Sequence, residues 1–334
     1  MASRVSPPER RFKVLTPAQK DQFHEEGYLL VEDLLDPVRD LQPVLDEYAE
    51  ILDGIAADLH RKGLLRSTHA GLPLVERLIA VCSESGRNFP QHFDFSLPQK
   101  DIRHDTPIHL GPAVFHTLAN ARLLDLVEDL IGPEIFSNPV QHIRFKLPER
   151  AIDKSSPSGL VSRIPWHQDN GVVMPEADEA TILTVWLPLN PATVRNGCLQ
   201  VVPRSHRQGI TDHCPTSVGL MIPDRLVPLD RAVAVPMRPG SALLMDQRTM
   251  HSSLDNLTDD EIRISMDLRY QPVGQPSGRP AFAPAGFVAR SAARPESVLR
   301  DPAVWAARWL EVRERLAEDN PVFNRWSADA TACA

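Results

Sequence analysis

The chain has 334 residues, 42% of them apolar and 24% charged, and a formal net charge of −8. Such a chain is globular and long enough to bury a sizeable core, and its acidic balance argues against a dedicated nucleic-acid binder, which meets phosphates with clustered Lys and Arg. Its 31 prolines exceed the ~5% background and suit turns and fixed loops better than long helices.

Residues 1–15 are rich in Pro and Arg and are expected to be loose. They lack the apolar centre of a secretory signal, and no later apolar run approaches the ~20 residues of a membrane span. Thr16 as N-cap and Pro17 in the first turn predict a helix to Glu26, stopped by Gly27 and followed by a strand over 28–31. From 37 to 60, Leu41, Val44, Leu45, Tyr48, Ile51, Leu52 and Ile55 recur at helical spacing and predict one long amphipathic helix. Another helix is expected over 114–131, ending at Gly132-Pro133.

From 134 to 272 the texture changes to short alternating runs separated by Pro, Gly, Asn and Asp. Strands are expected over 140–147, 164–169, 181–187, 199–202, 232–235, 242–245, 249–253 and 262–270, which together imply a sandwich or barrel. In the last of these, Ile262, Ile264, Met266 and Leu268 alternate with Arg263, Ser265, Asp267 and Arg269, so a greasy face backs a polar one. The Pro- and Gly-rich run 271–288 is expected to cover the barrel mouth, and 302–317 to be helical with Trp305, Trp309 and Val312 on one face. The chain reads as one domain over 1–334, with a largely helical flank over 15–132, a β core over 134–272 and a covering loop with a terminal helix over 273–334.

The chemistry concentrates in Trp166-His167-Gln168-Asp169. On a strand, His167 and Asp169 share a face, and His251 from a later strand would complete a 2-His-1-carboxylate set that holds Fe(II) and leaves positions open for oxygen chemistry. The competing reading is a solvent-facing pair in a turn, since His-x-Asp is common by chance. Arg263, on the strand after His251, offers a permanently charged fork for a carboxylate, against the alternative of a surface ion pair with Asp259, Asp260 or Glu261. Cys82, Cys198, Cys214 and Cys333 have neither zinc nor disulfide spacing and, as free thiols, suit a reducing, cytoplasmic setting.

Three segments carry a resemblance to the phytanoyl-CoA dioxygenase family of Fe(II)/2-oxoglutarate oxygenases: residues 162–169 around His167, the N-G-C-L…S-H turn of residues 196–206, and Pro239-Gly240 through His251, Ser253, Asn256 and Arg263. The opening LTPAQKDQFHEEGYLLVEDLL is similar to the family's N-terminal helix and strand. The resemblance implies a double-stranded β-helix, or jelly roll, with helical flanks. It implies Fe(II) on His167, Asp169 and His251, and 2-oxoglutarate on Arg263 and Ser253 beside Trp186, with His142 and Lys146 as further cosubstrate contacts and Arg269 as an alternative anchor to Arg263. It further implies O₂ as cosubstrate, release of succinate and CO₂, and hydroxylation of a small organic molecule.

The sequence departs from the family at Arg204, where a P-G-S-H turn usually has Gly. Asp169 is retained, which favours hydroxylation over halogenation. Arg144, Arg163, Arg195, Arg204, Arg207, Arg248 and Arg279 could form a basic rim for an anionic substrate or serve as surface ion pairs. His104 and His109 are candidate lid residues. A non-catalytic barrel, or a metal hydrolase or isomerase on the same ligands, is the rival reading. Substrate identity and oligomeric state are not legible.

Overall fold

The structure, a computed structural model, describes residues 14–333 apart from positions 156, 157, 218, 320 and 322. The loose segment expected over residues 1–15 lies almost wholly outside the described residues. Of its last two, Leu15 is buried, and both Val14 N and Leu15 N donate to Asp129.

Helix α1 (Pro17–Glu26) opens on a reciprocal cap between Thr16 and Gln19 and ends at Gly27, whose φ of +79° is left-handed. Strand β1 (Tyr28–Val31) follows. A π-helical turn (Pro37–Leu41) feeds α2 (Gln42–Arg61), which buries Val44, Tyr48, Leu52, Ala56 and Leu59. Two helices without an expectation come next, α3 (Leu74–Ser85) and the short α4 (Pro90–Phe93). The single helix expected over 114–131 is two, α5 (Pro112–Leu118) and α6 (Ala121–Ile131). Asn120 divides them because its side chain accepts from Arg122 N and Leu123 N, capping the second helix instead of continuing the first.

The strands are β2 (Ile135–Ser137), β3 (His142–Lys146), β4 (Leu183–Pro188), β5 (Leu199–Val201), β6 (Cys214–Thr216), β7 (Gly219–Met221), β8 (Val233–Val235), β9 (Ala242–Asp246), β10 (His251–Ser253), β11 (Arg263–Pro272) and β12 (Phe287–Arg290). One sheet runs β1-β9-β4-β11-β2-β12, with β3 also on β11; a second runs β10-β5-β8. Trp186, Leu243 and Met245 of the first sheet pack with Leu199, Val201 and Val235 of the second, so the two lie face to face as a jelly roll.

The alternation in β11 divides the molecule. Ile264, Met266, Leu268 and Tyr270 join the main core with α2, α5, α6 and α7 (Pro302–Asp319), while Arg263, Ser265, Asp267 and Arg269 are equally buried in the barrel interior. A buried polar face has to be satisfied from within, and that requirement locates the site.

Two further expectations fail. Residues 164–169 are not a strand: His167 makes an isolated bridge to His251, and Asp169 opens a 3-10 turn (Asp169–Val172), because Gln168 is tied away to loop groups. Within the run 271–288, Arg279 and Phe282 are fully buried, Arg279 lines a cavity, and β12 begins at Phe287. Cys214 and Cys333 form a disulfide across 119 residues of sequence, leaving Cys82 and Cys198 free and buried. Spacing gave no sign of it because the tail returns to β6 only in the folded chain. No helix among the described residues is long and apolar enough to cross a membrane.

Candidate metal centre

His167 and His251 exchange backbone hydrogen bonds in both directions at 3.0 Å, which sets their rings 4.2 Å apart. Asp169 joins them through the 3-10 turn, and one ligand atom from each of the three residues lies within 4.8 Å of the others. Between the two ligand candidates, Gln168 donates to Gly209 O and Arg248 O and accepts from Thr211 N, while its own N–H donates to His213 Nε2. These bonds hold the turn so that residues 167 and 169 converge without a strand between them.

The donor set suits a divalent metal. A carbonyl can only accept, so the contacts of His167 Nδ1 with Pro165 O and of His251 Nδ1 with Thr249 O, both 2.9 Å, place the proton on Nδ1 and leave each Nε2 with a lone pair. Burial, reinforced by His251, holds His167 well below the usual imidazole range, so it is neutral. Burial pushes the Asp169 carboxyl up, but Arg269, above all, outweighs it and keeps the group ionised. Thr184 Oγ1 donates to one carboxylate oxygen and Arg269 to the other. These two partners had no sequence expectation in that role. Their signal is in the register, since Thr184 and Arg269 face each other across β4 and β11 and so reach the same acid.

A second cluster lies two residues along β10. Lys146 Nζ donates to Ser253 Oγ at 2.7 Å, and Lys146 pairs in register with Arg263 across β3 and β11. Arg263 donates to Gly197 O at 3.1 Å and to Ser265 Oγ, with its guanidinium 5.3 Å from the Trp186 ring centroid. Burial pushes Arg263 down to about 9 and, with Arg263 as its neighbour, holds Lys146 well below the usual amine range. Neither cation has a carboxylate partner among the described residues. The structure thus brings together Arg263, Ser253, Trp186 and Lys146. It sets His142 elsewhere, on Asp94 at 2.7 Å, and occupies Arg269 with Asp169. The candidate lid histidines His104 and His109 pair with Glu314 and Glu47.

A cavity of about 820 Å³ opens over His167, walled by Leu97, Val140, Leu160 and Ile164 and by the charged Arg144 and Arg279. Its size is that of a small-molecule site. Of the expected basic rim, Arg144 and Arg279 line this cavity, whereas Arg163, Arg204 and Arg248 approach acids, Arg204 most closely.

Comparison with known proteins places this site in context. The chain is 30% identical over 181 residues to 1-deoxypentalenic acid 11-beta-hydroxylase of Streptomyces arenae, an alignment covering 51% of this chain and 61% of that protein. It is 25% identical over 253 residues to phytanoyl-CoA dioxygenase of Arabidopsis thaliana, covering 73% of this chain and 84% of that one. Among solved structures, the apo non-heme monooxygenase ThoJ superposes with a TM-score of 0.55 at 18% identity, over 91% of this chain and all of its own, and shares the fold. The phytanoyl-CoA dioxygenase profile matches residues 23–265, most of the chain and all three site segments, and the chain belongs to that family.

Proposed function

We propose that the protein is an Fe(II)- and 2-oxoglutarate-dependent dioxygenase that hydroxylates a small organic molecule. The observation that carries this is the pair of buried cations, Arg263 and Lys146, which have no carboxylate partner among the described residues, with Lys146 on Ser253, two residues along β10 from the metal candidate His251. A hydrolase or isomerase on the same ligands has no use for such a pair; a dicarboxylate cosubstrate does.

In this reading His167, Asp169 and His251 hold the metal. Bound there, Fe(II) supplies oxidation of a C–H bond by O₂, coupled to conversion of 2-oxoglutarate to succinate and CO₂. Two imidazoles that each donate through Nδ1, and an ionised Asp169, offer the donors such a cation needs. Arg263 and Lys146 bind the distal carboxylate, Ser253 orients the Lys146 ammonium, and Trp186 floors the cosubstrate. Thr184 and Arg269 fix the Asp169 carboxylate. The apolar wall excludes water and sets the substrate carbon above His167.

The partner is a small molecule, and the net charge of −8 gives no footing for nucleic acid. A cytoplasmic setting keeps its support from the free Cys82 and Cys198 and loses that of the bridged pair.

Anaerobic titration of the metal-free protein with Fe(II), then 2-oxoglutarate, tests the function. The weak visible charge-transfer band of the chelate is expected in the wild type and absent in His167→Ala. In Arg263→Ala the 2-oxoglutarate affinity should fall about 10- to 100-fold, the worth of a charge-assisted hydrogen bond. Folded, metal-bound protein without the band would overturn the oxygenase reading in favour of a binding or hydrolytic barrel.

A further inference from the structure

One charge in the cavity wall has no part in the chemistry above. Arg279 follows Gly278, whose φ of +72° and lack of a Cβ let the backbone close on Val173; Gly278 O accepts from Met174 N at 2.7 Å. This contact presses Arg279 against the turn that starts at Asp169, and its Nη2 donates to Val172 O at 3.0 Å. Nε and Nη1 have no partner, although the residue is fully buried. Phe282 and Phe323 lie 5.3 and 5.4 Å from the guanidinium. Burial, then Arg269, pushes the group down to about 9, so it keeps its charge at neutral pH.

The other arginines of this wall have acids. Arg269 is on Asp169, and Arg144 is 3.4 Å from Asp267. Arg279 has none among the described residues. A buried guanidinium without a counter-ion is strongly destabilising unless a ligand completes it, and its planar donors match a carboxylate. Leu97, Val140, Leu160 and Ile164 give an otherwise mixed wall an apolar stretch, so one negative charge on an apolar body fits it better than a phosphate dianion.

We propose that Arg279 receives the carboxylate of the substrate, so that the enzyme acts on small carboxylic acids whose hydrocarbon part lies along Leu97, Val140, Leu160 and Ile164. The oxidation of that acid rests on the oxygenase reading; its binding does not. Phe323 lies on one side of the guanidinium. Because Arg279 holds the carbonyl of Val172, which ends the turn begun by Asp169, the acid group is held at the metal end of the cavity, which fixes which carbons reach His167.

Calorimetric titration of the anaerobic Fe(II)/2-oxoglutarate-loaded protein with decanoate, cyclohexanecarboxylate and their methyl esters tests this. At least one acid should bind about ten-fold or more tightly than its ester. Arg279→Gln should abolish that preference while sparing the ester, and Arg279→Lys should keep part of it. Equal binding of acid and ester, no binding of either acid at millimolar concentration, or an unchanged preference in Arg279→Gln would overturn the proposal. Should the variants not fold, the acid–ester comparison on the wild type decides alone. The chelate band is read on the same sample: its absence would sink the oxygenase reading while the acid preference is still measured, so the two failures are distinct.

Discussion

Burial, and then repulsion by Arg263, makes the Lys146 amine give up its proton more readily than an exposed lysine. A dianion placed between them reverses that, because an adjacent negative charge favours the ammonium. Binding of 2-oxoglutarate is therefore expected to take up a proton at pH between the lysine's lowered value in the free protein and its restored value in the complex, with the uptake vanishing as pH falls below both. Calorimetry in buffers of different ionisation heat reads this directly. Lys146→Met should remove the uptake and weaken 2-oxoglutarate about 10- to 100-fold; a buffer-independent heat in the wild type would deny Lys146 the role. At this scale, much of the site was legible. His167, Asp169 and His251 stood out by residue type and spacing, and Arg263 by its place on an alternating strand. Thr184 as a partner of Asp169 did not, because a threonine in a β-branched run looks like any strand residue until register sets it opposite Arg269. Nor did the claim of Asp169 on Arg269, which takes away the alternative anchor.

Among the elements, the turn between β4 and β5 shows why the N-G-C-L motif takes the form it does. Gly197 has φ +91°, and a Cβ there would lie 2.5 Å from the Lys146 side chain and 2.7 Å from Leu254 O. The same glycine's carbonyl accepts from Arg263. Gly197→Ala should thus act on both cations at once, destabilising the fold by about 1–3 kcal/mol for the strained backbone and lowering 2-oxoglutarate affinity. Urea unfolding and cosubstrate titration measure the two effects, and an unchanged affinity would separate the turn from the site. Seven residues on, the departure at Arg204 has a geometric account: its φ of +65° is the left-handed conformation for which glycine is the ordinary choice. Its side chain reaches Glu25 and Glu26 at the end of α1 instead. Helix starts and strands with clean alternation were readable because caps and periodicity are local. The short β2 and β12 and the 3-10 turn at Asp169 were not, because each is set by a partner distant in sequence, while the local Asn120 cap and the β6–β7 pair carried no expectation.

Across the whole molecule, the C-terminal segment folds back over the metal-side loop in a way that no local pattern announced. Arg325 pairs with Asp178 at 2.5 and 2.7 Å, Trp326 Nε1 donates to Gly171 O at 2.6 Å, and the Trp326 ring stacks on His213, which in turn accepts from Gln168 N. The Cys214–Cys333 bridge closes this strap a few residues further on. Its partners Gly171 and Gln168 flank Asp169, and Phe323 on the same strap lies on one side of Arg279, so the tail links the redox state of two cysteines to one wall of the cavity. Unfolded but unreduced protein should show two reactive thiols, those of Cys82 and Cys198, and four would refute the bridge. Cys333→Ser should cost about 2–4 kcal/mol, the usual effect of opening a long covalent loop, and the loss should begin locally. Hydrogen exchange is expected to rise first around Trp326 and Gly171, while β4 and β11 keep their protection, because the strap is held by a handful of contacts and the sheet by a continuous ladder. Uniform loosening of tail and sheet together would mean that the bridge braces the barrel as a whole rather than this one wall.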